Sequence, residues 1–249
     1  MCFSANASFV TAAALTPLGL LCLPLARRLE ARRWMPLALL PLVFASQQAL
    51  EGFVWLGLGQ GVSLEALRPT AIAYLAFAYA FWPIWIPWCA LRLGSGRLVL
   101  WKQRLICGLL ALGALLGTGL WLPLLYQPAL VHPIVRHGSI DYRAQPSWAV
   151  AFGHPFLSLL YALIVIVPLL LQPSRRLRWL GASLTAAFVL AQLAFLYAFS
   201  SVWCYFSAVL SGIVLWVLRA EQTSGSVAQV ASRCGHGGCD EAKVDVSGP

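Results

Sequence analysis

Apolar residues in this chain arrive in blocks of about 20, the length an α-helix needs to cross roughly 30 Å of hydrocarbon at about 1.5 Å per residue. No other feature constrains the fold as strongly, because hydrocarbon admits only structures whose backbone polar groups are paired internally. A β-barrel would show short alternating segments of about ten residues, and no such pattern is present. Of the 249 residues, 60% are hydrophobic and 10% charged, against about a quarter charged in soluble domains. The fold class is therefore all-α, a polytopic membrane helix bundle.

The blocks predict seven transmembrane helices, at Ala5–Ala26, Met35–Leu58, Pro69–Leu91, Arg104–Leu122, Trp148–Leu171, Trp179–Phe199 and Val202–Leu218. The first does not read as a cleavable signal peptide, since Met1 to Phe9 hold no Lys or Arg and the arginines follow the apolar run. The formal charge of +9 does not indicate nucleic-acid binding, because the arginines are dispersed in short loops without a continuous basic face.

Those arginines act as topology signals. Arg27, Arg28, Arg32, Arg33, Arg92, Arg97, Lys102, Arg104, Arg175, Arg176, Arg178 and Arg219 all fall on one predicted side, and only Arg68, Arg136 and Arg143 on the other. Under the positive-inside rule the larger set is cytoplasmic, which places the N-terminus outside and the C-terminus inside. The expected location is the bacterial cytoplasmic membrane, with the lipid bilayer as the principal partner.

The chain divides into a seven-helix domain over residues 1–220 and a polar, Gly- and Ser-rich cytoplasmic tail over 221–249, expected to be flexible. Residues 123–147 form the one long loop, predicted outside; loops of that length without secondary structure of their own are functional or disordered in most proteins. No internal repeat is evident, so an inverted-repeat transporter has no support here.

Glu51 is the only acidic residue inside any long apolar stretch. An ionisable group within a membrane helix is costly and reads by default as a functional site with a partner. Gln47, Gln48 and Trp55 share its helix face by their spacing of three, four and seven residues. The functional reading is a polar pocket with Glu51 as proton carrier, ion ligand or counter-charge. The alternative is a neutral glutamate that only hydrogen-bonds a neighbouring helix. Depth along the spans puts His154, about two turns into the fifth span, in the same outer layer, with Gln192, Cys204 and Cys2.

Cysteine number gives no disulfide framework: the seven are scattered through different segments. Cys2 and Cys204 are both expected near the outer surface, where a disulfide, a thiol or metal pair, and two unrelated buried cysteines are the three readings. In the outer loop, His132, His137 and Asp141 fall within ten residues. They match no tetrahedral zinc signature, and a solvated polar loop is the better account. In the tail, Cys234, His236 and Cys239 offer adventitious metal affinity more readily than a structural site.

Pro83 and Pro87, in Trp82-Pro83-Ile84-Trp85-Ile86-Pro87-Trp88, should kink or open the third span. The tryptophans there suit an interfacial belt, as do Trp34, Trp101, Trp121, Trp148 and Trp179 near other predicted span ends. Several cofactors lack their signatures. Neither Lys102 nor Lys243 lies in a span, which excludes a retinal Schiff base. A single intramembrane histidine argues against a bis-histidine haem, and no phosphate-binding loop indicates a nucleotide.

Three motifs carry a resemblance: Met1-Cys2-Phe3-Ser4 with Ala7-Ser8-Phe9, Gln47-Gln48-x-x-Glu51-Gly52-x-x-Trp55, and Val202-Trp203-Cys204-Tyr205-Phe206. With these the chain resembles an uncharacterised family of bacterial seven-helix integral membrane proteins. The resemblance implies the seven-helix architecture and draws attention to Cys2, Glu51 and Cys204, without an activity to transfer.

The leading expectation is a small polar pocket in the outer half of the bundle, centred on Glu51, that binds or translocates a small solute, ion or proton. A rival is a membrane-embedded enzyme acting on a lipid or lipid-linked substrate, with Glu51 and His154 as acid and base or with His132, His137 and Asp141 around a metal. A structural or assembly subunit is the third reading.

Overall fold

The protein is described by a computed structural model covering residues 4–29, 31–136, 138–144, 146–194 and 208–223, with the backbone alone at 31, 32, 154 and 191–194. It is mostly helical. Helix α1 (Ala5–Arg28) starts where the Ser4 hydroxyl accepts the Ala7 N–H at 3.2 Å, and ends with Arg27 and Arg28 in its last turn. A side-chain oxygen at the first position and cations at the last complement the unpaired groups and the dipole of a helix. Helices α2 (Ala31–Ala38) and α3 (Leu40–Gly59) meet at Leu39, whose N–H still donates to the Met35 carbonyl at 3.0 Å.

Helices α1 and α3 are antiparallel and close-packed through small residues. The ring of Phe9 lies over Gly52, and Leu42 lies over Gly19; a Cβ on either glycine would come within 2.8 Å and 2.6 Å of those side chains. Between membrane helices such close approach supplies the association that the hydrophobic effect does not.

Helix α4 (Leu64–Leu75) passes through a π-helical turn, Ala76–Phe81, into α5 (Trp82–Gly94). The prolines explain the wide turn. Pro83 and Pro87 have no N–H to return to Tyr79 and Pro83, and a proline ring clashes with the carbonyl one turn back. The Trp82 N–H reaches back to Phe77 instead, five residues away. The extra residue shifts the register of α5 by about 100° relative to α4. The expected disturbance is thus a π-turn within one continuous helical run.

Helix α6 (Leu100–Tyr126) packs against this turn. A Cβ on Gly117 would stand 2.8 Å from the Ala80 Cα and 2.9 Å from the Tyr79 carbonyl oxygen, and one on Gly113 would collide with the Pro83 carbonyl. Tyr79 and Pro83 are the two carbonyls that the prolines deprive of their α-helical donors. The glycine Cα–H groups of α6 face them, an arrangement suited to weak Cα–H···O bonds.

Residues 123–147 are not structureless. A 3₁₀ turn (Pro128–Leu130) leads into a two-stranded antiparallel hairpin, β1 (Ile134–Arg136) and β2 (Ser139–Asp141), with Ile134 opposite Asp141. Val131, Ile140, Tyr142 and Ala144 are buried against Leu67, Tyr74, Leu124 and Val54, and the Tyr74 and Tyr142 rings stack at 4.6 Å. The segment is a folded cap over the ends of α3, α4 and α6.

The fifth expected span is broken. Helix α7 (Ser147–Phe152) stops at Gly153, which has φ 79° and ψ 144°, and α8 (His154–Leu170) restarts with Pro155 in its first turn. His154 is therefore the first residue of a helix, not a position two turns inside one. Helix α9 (Arg175–Ala194) and a last helix, α10 (208–223), complete the described chain.

Among the described residues, four helical runs are long and apolar enough to cross a membrane: Ala5–Arg28, Arg33–Gly59, Leu64–Gly94 and Leu100–Tyr126. Their outward faces carry large apolar side chains such as Val10, Leu20, Phe53 and Leu115, a surface that suits lipid. Opposite the hairpin, the Gln222 amide donates to the Leu25 carbonyl and Arg33 to the carbonyls of Arg92 and Ser95, while Arg176 pairs with Glu221. The ends of α1, α5 and α10, the start of α9 and Arg33 of α2 thus gather in one basic layer.

Candidate functional site

Gln47, Gln48 and Glu51 on α3 are each 1% exposed or less. The Gln48 Nε2 donates to Glu51 Oε2 at 3.3 Å, the expected contact between residues three apart on one helix face. Gln47 turns to another element. Its Oε1 accepts the indole N–H of Trp82, on α5, at 2.9 Å. Phe44, one turn before Gln48, stacks on the Trp82 ring at 4.2 Å, so the indole is held on its face and at its edge.

Trp82 therefore departs from the interfacial belt expected for it. It is 3% exposed and lies about three turns before α5 ends at Gly94. At such depth an indole N–H requires a protein acceptor, and Gln47 supplies one. That depth was the signal in the sequence, although it does not say which helix provides the acceptor. Trp34 is also buried, at 7% exposed, whereas Trp101 and Trp179 are more than half exposed. Trp121 and Trp148 donate their N–H groups to the carbonyls of Ile72 and Gly119.

Around this group, Phe9 of α1 covers Gly52, next in sequence to Glu51, and meets Phe53 edge-on at 5.2 Å. Ser8 is fully buried in the same region of α1, and its hydroxyl has no hydrogen-bond partner among the described residues. Val54 belongs to the core beneath the hairpin, and Trp55 packs half-buried against it. The buried polar residues are accordingly walled by aromatic rings and sit one helical turn below the cap.

The donor set is a carboxyl group, two amides and an indole N–H. Such a set can hold a cation on the carboxylate and amide oxygens, or keep a proton on the carboxyl while the amides reorient.

The other expected site residues fall into two groups. His132 is exposed, and Asp141 binds the guanidinium groups of Arg136 at 3.7 Å and Arg143 at 3.4 Å, which ties the hairpin together. Among the described residues no three His, Cys, Asp or Glu gather as metal ligands. Cys2, His137, Cys204, Cys234, His236, Cys239 and the side chains of His154 and Gln192 lie outside the described residues. Cys22 and Cys89 are buried free thiols and Cys107 is an exposed one.

The family described as Family of unknown function (DUF6629) matches residues 1–229. No curated protein and no solved structure matches. The family match takes in the motifs around Cys2, Glu51 and Cys204 and stops before Cys234.

Proposed function

The chain belongs to the DUF6629 family, and from that premise we propose that it is a seven-helix protein of the bacterial cytoplasmic membrane whose pocket binds or moves a small solute, ion or proton. The N-terminus faces outward in this reading, the helical domain runs to the end of α10 at residue 223 instead of the expected 220, and the chain after it lies on the cytoplasmic side. The hairpin lies outside, and Gln47, Gln48 and Glu51 sit below it, between the midplane and the outer surface. His154 and Gln192 are assigned to the same layer by their positions in the fifth and sixth spans.

One observation carries the pocket: Glu51 is 0% exposed inside an apolar helix and takes a hydrogen bond from the Gln48 amide. A buried carboxyl group is expensive in a membrane, and a merely structural hydrogen bond could be made by glutamine. The gathering of basic residues at the end opposite the hairpin supports the orientation.

Flux through liposomes containing the purified full chain tests the reading, with a pH-sensitive dye for protons and ion-sensitive dyes for sodium and potassium. The expected result is a protein-dependent flux that Glu51→Gln lowers tenfold or more, the loss of a charged contact in a site of low polarity. Because glutamine keeps the shape and the link to Gln48, the variant should melt with the wild type. Equal flux in both proteins would overturn the assignment of Glu51.

A further inference from the structure

The basic end of the bundle holds an open cavity of about 310 Å³, at the lower end of the size range of small-molecule sites. Arg97 follows α5, Gln172 and Ser174 lie in the turn between α8 and α9, and Glu221 comes from α10. All four line this cavity, together with Trp34 and Leu177.

Three of these side chains have unmet hydrogen-bonding capacity. Gln172 is fully buried, and its Nε2 is committed to the carbonyls of Ala90 and Pro168, both at 3.0 Å. Its Oε1 has no donor among the described residues, which is costly for a buried acceptor. Glu221 receives the Ser174 hydroxyl at 3.0 Å and an Arg176 nitrogen at 3.3 Å, both on Oε1. Its Oε2 has no partner among the described residues. The Arg97 guanidinium takes part in no hydrogen bond or ion pair among the described residues.

Two open acceptors and one open cation lining the same cavity define a complementary ligand. It must carry a cation bearing N–H groups for the acceptors, and an anion for the guanidinium, which prefers phosphate and carboxylate oxygens. The cavity opens at the basic end, the level at which an arginine-rich bundle end meets phospholipid headgroups.

We propose that this cavity binds an amine–phosphate zwitterion of the phosphoethanolamine kind, its primary ammonium donating to Gln172 Oε1 and Glu221 Oε2 and its phosphate held by Arg97. A quaternary ammonium has no N–H to give Gln172, so a phosphocholine group is discriminated against. A phosphoglycerol group brings hydroxyl donors and no cation for Glu221. The ligand is the headgroup of a phosphatidylethanolamine or soluble phosphoethanolamine. The proposal rests on the membrane reading of the chain and is independent of the Glu51 pocket.

The test uses the full chain in nanodiscs of phosphatidylcholine, alone or doped with phosphatidylethanolamine or phosphatidylglycerol. Bound lipid is counted by mass spectrometry and the unfolding midpoint is measured alongside. Phosphatidylethanolamine should be retained selectively and raise the midpoint. Arg97→Ala, which removes no recorded bond, should weaken retention about tenfold or more, and Gln172→Leu should do the same where it folds. Glu51→Gln should leave retention unchanged, which separates this site from the transport reading. If soluble phosphoethanolamine raises the midpoint in plain phosphatidylcholine discs and the lipid is not retained, the soluble form is the ligand. Equal retention of all three lipids without a response to soluble phosphoethanolamine would overturn the proposal, as would ligand binding undiminished in Arg97→Ala.

Discussion

The indole N–H of Trp82 lies 2.9 Å from the side-chain oxygen of Gln47, and both residues are buried. This bond ties α5 to α3 beside the buried polar residues of α3 and fixes which way the Gln47 amide points. Glu51 lies one turn further toward the hairpin, where it accepts the amide of Gln48. The π-turn at Ala76–Phe81 contributes by setting the register in which α5 presents Trp82.

Replacing Trp82 by phenylalanine keeps the stacking on Phe44 and removes the donor. The loss should destabilise the protein by about 1–3 kcal/mol, the cost of a buried polar group left without its partner. Adding Gln47→Leu should recover part of that loss, because both polar partners are then gone. Thermal unfolding of the two single variants and the double variant in detergent measures the coupling; additive losses would show that the bond contributes no coupling.

Gly113 and Gly117 should not tolerate larger residues. Leucine at either position would meet the backbone of the π-turn, with an expected loss of about 1–3 kcal/mol or more from forced separation of α6 and α5. Gly108, on the same helix, has nothing within 4 Å of a built Cβ. Gly108→Leu should leave the unfolding midpoint nearly unchanged, which makes it the control for helix propensity.

Gly153→Ala should weaken the junction of α7 and α8. The position has φ 79° and ψ 144°, a conformation that a side chain disfavours by about 1–3 kcal/mol. The expected outcome is a lower unfolding midpoint with faster proteolysis near residue 153. An unchanged midpoint would mean that the break at Gly153 is not rigidly held.

Fusions test the orientation. A fluorescent protein joined after residue 223 should fold and fluoresce, since that end is assigned to the cytoplasm. Alkaline phosphatase, which needs an oxidising compartment for its disulfides, should be active when joined after Tyr126. The reverse pattern would invert the topology and put Glu51 on the cytoplasmic side of the midplane.

The membrane class and the first four helical runs were legible in the sequence, because hydrophobic length alone specifies a crossing. The burial of Gln47, Gln48 and Glu51 was legible too. Lipid excludes three polar residues on one face, and the spacing showed that they share one. The role of Trp82 was harder to read, because a tryptophan is amphipathic and a span end is its commonest place. Only the position of Gln47 on another helix distinguishes a buried donor from a belt residue.

The hairpin over residues 134–141 escaped for a related reason. Its strands are three residues each, too short for a periodic signal, and they hold together through Tyr74, Leu67 and Leu124, residues distant in the chain. The break at Gly153 had local signals in Gly153 and Pro155, but an apolar run on both sides concealed them.

The sequence by itself determined what must be buried from water and what must be buried from lipid, since both follow from the solvation of each residue along one helix. Which helix meets which was decided by tertiary structure alone: Trp82 with Gln47, Gly117 with the Tyr79 carbonyl, Gln172 with the Ala90 carbonyl. Those pairings depend on register and close approach between segments far apart in the chain, and hydrophobicity is too unspecific to encode them.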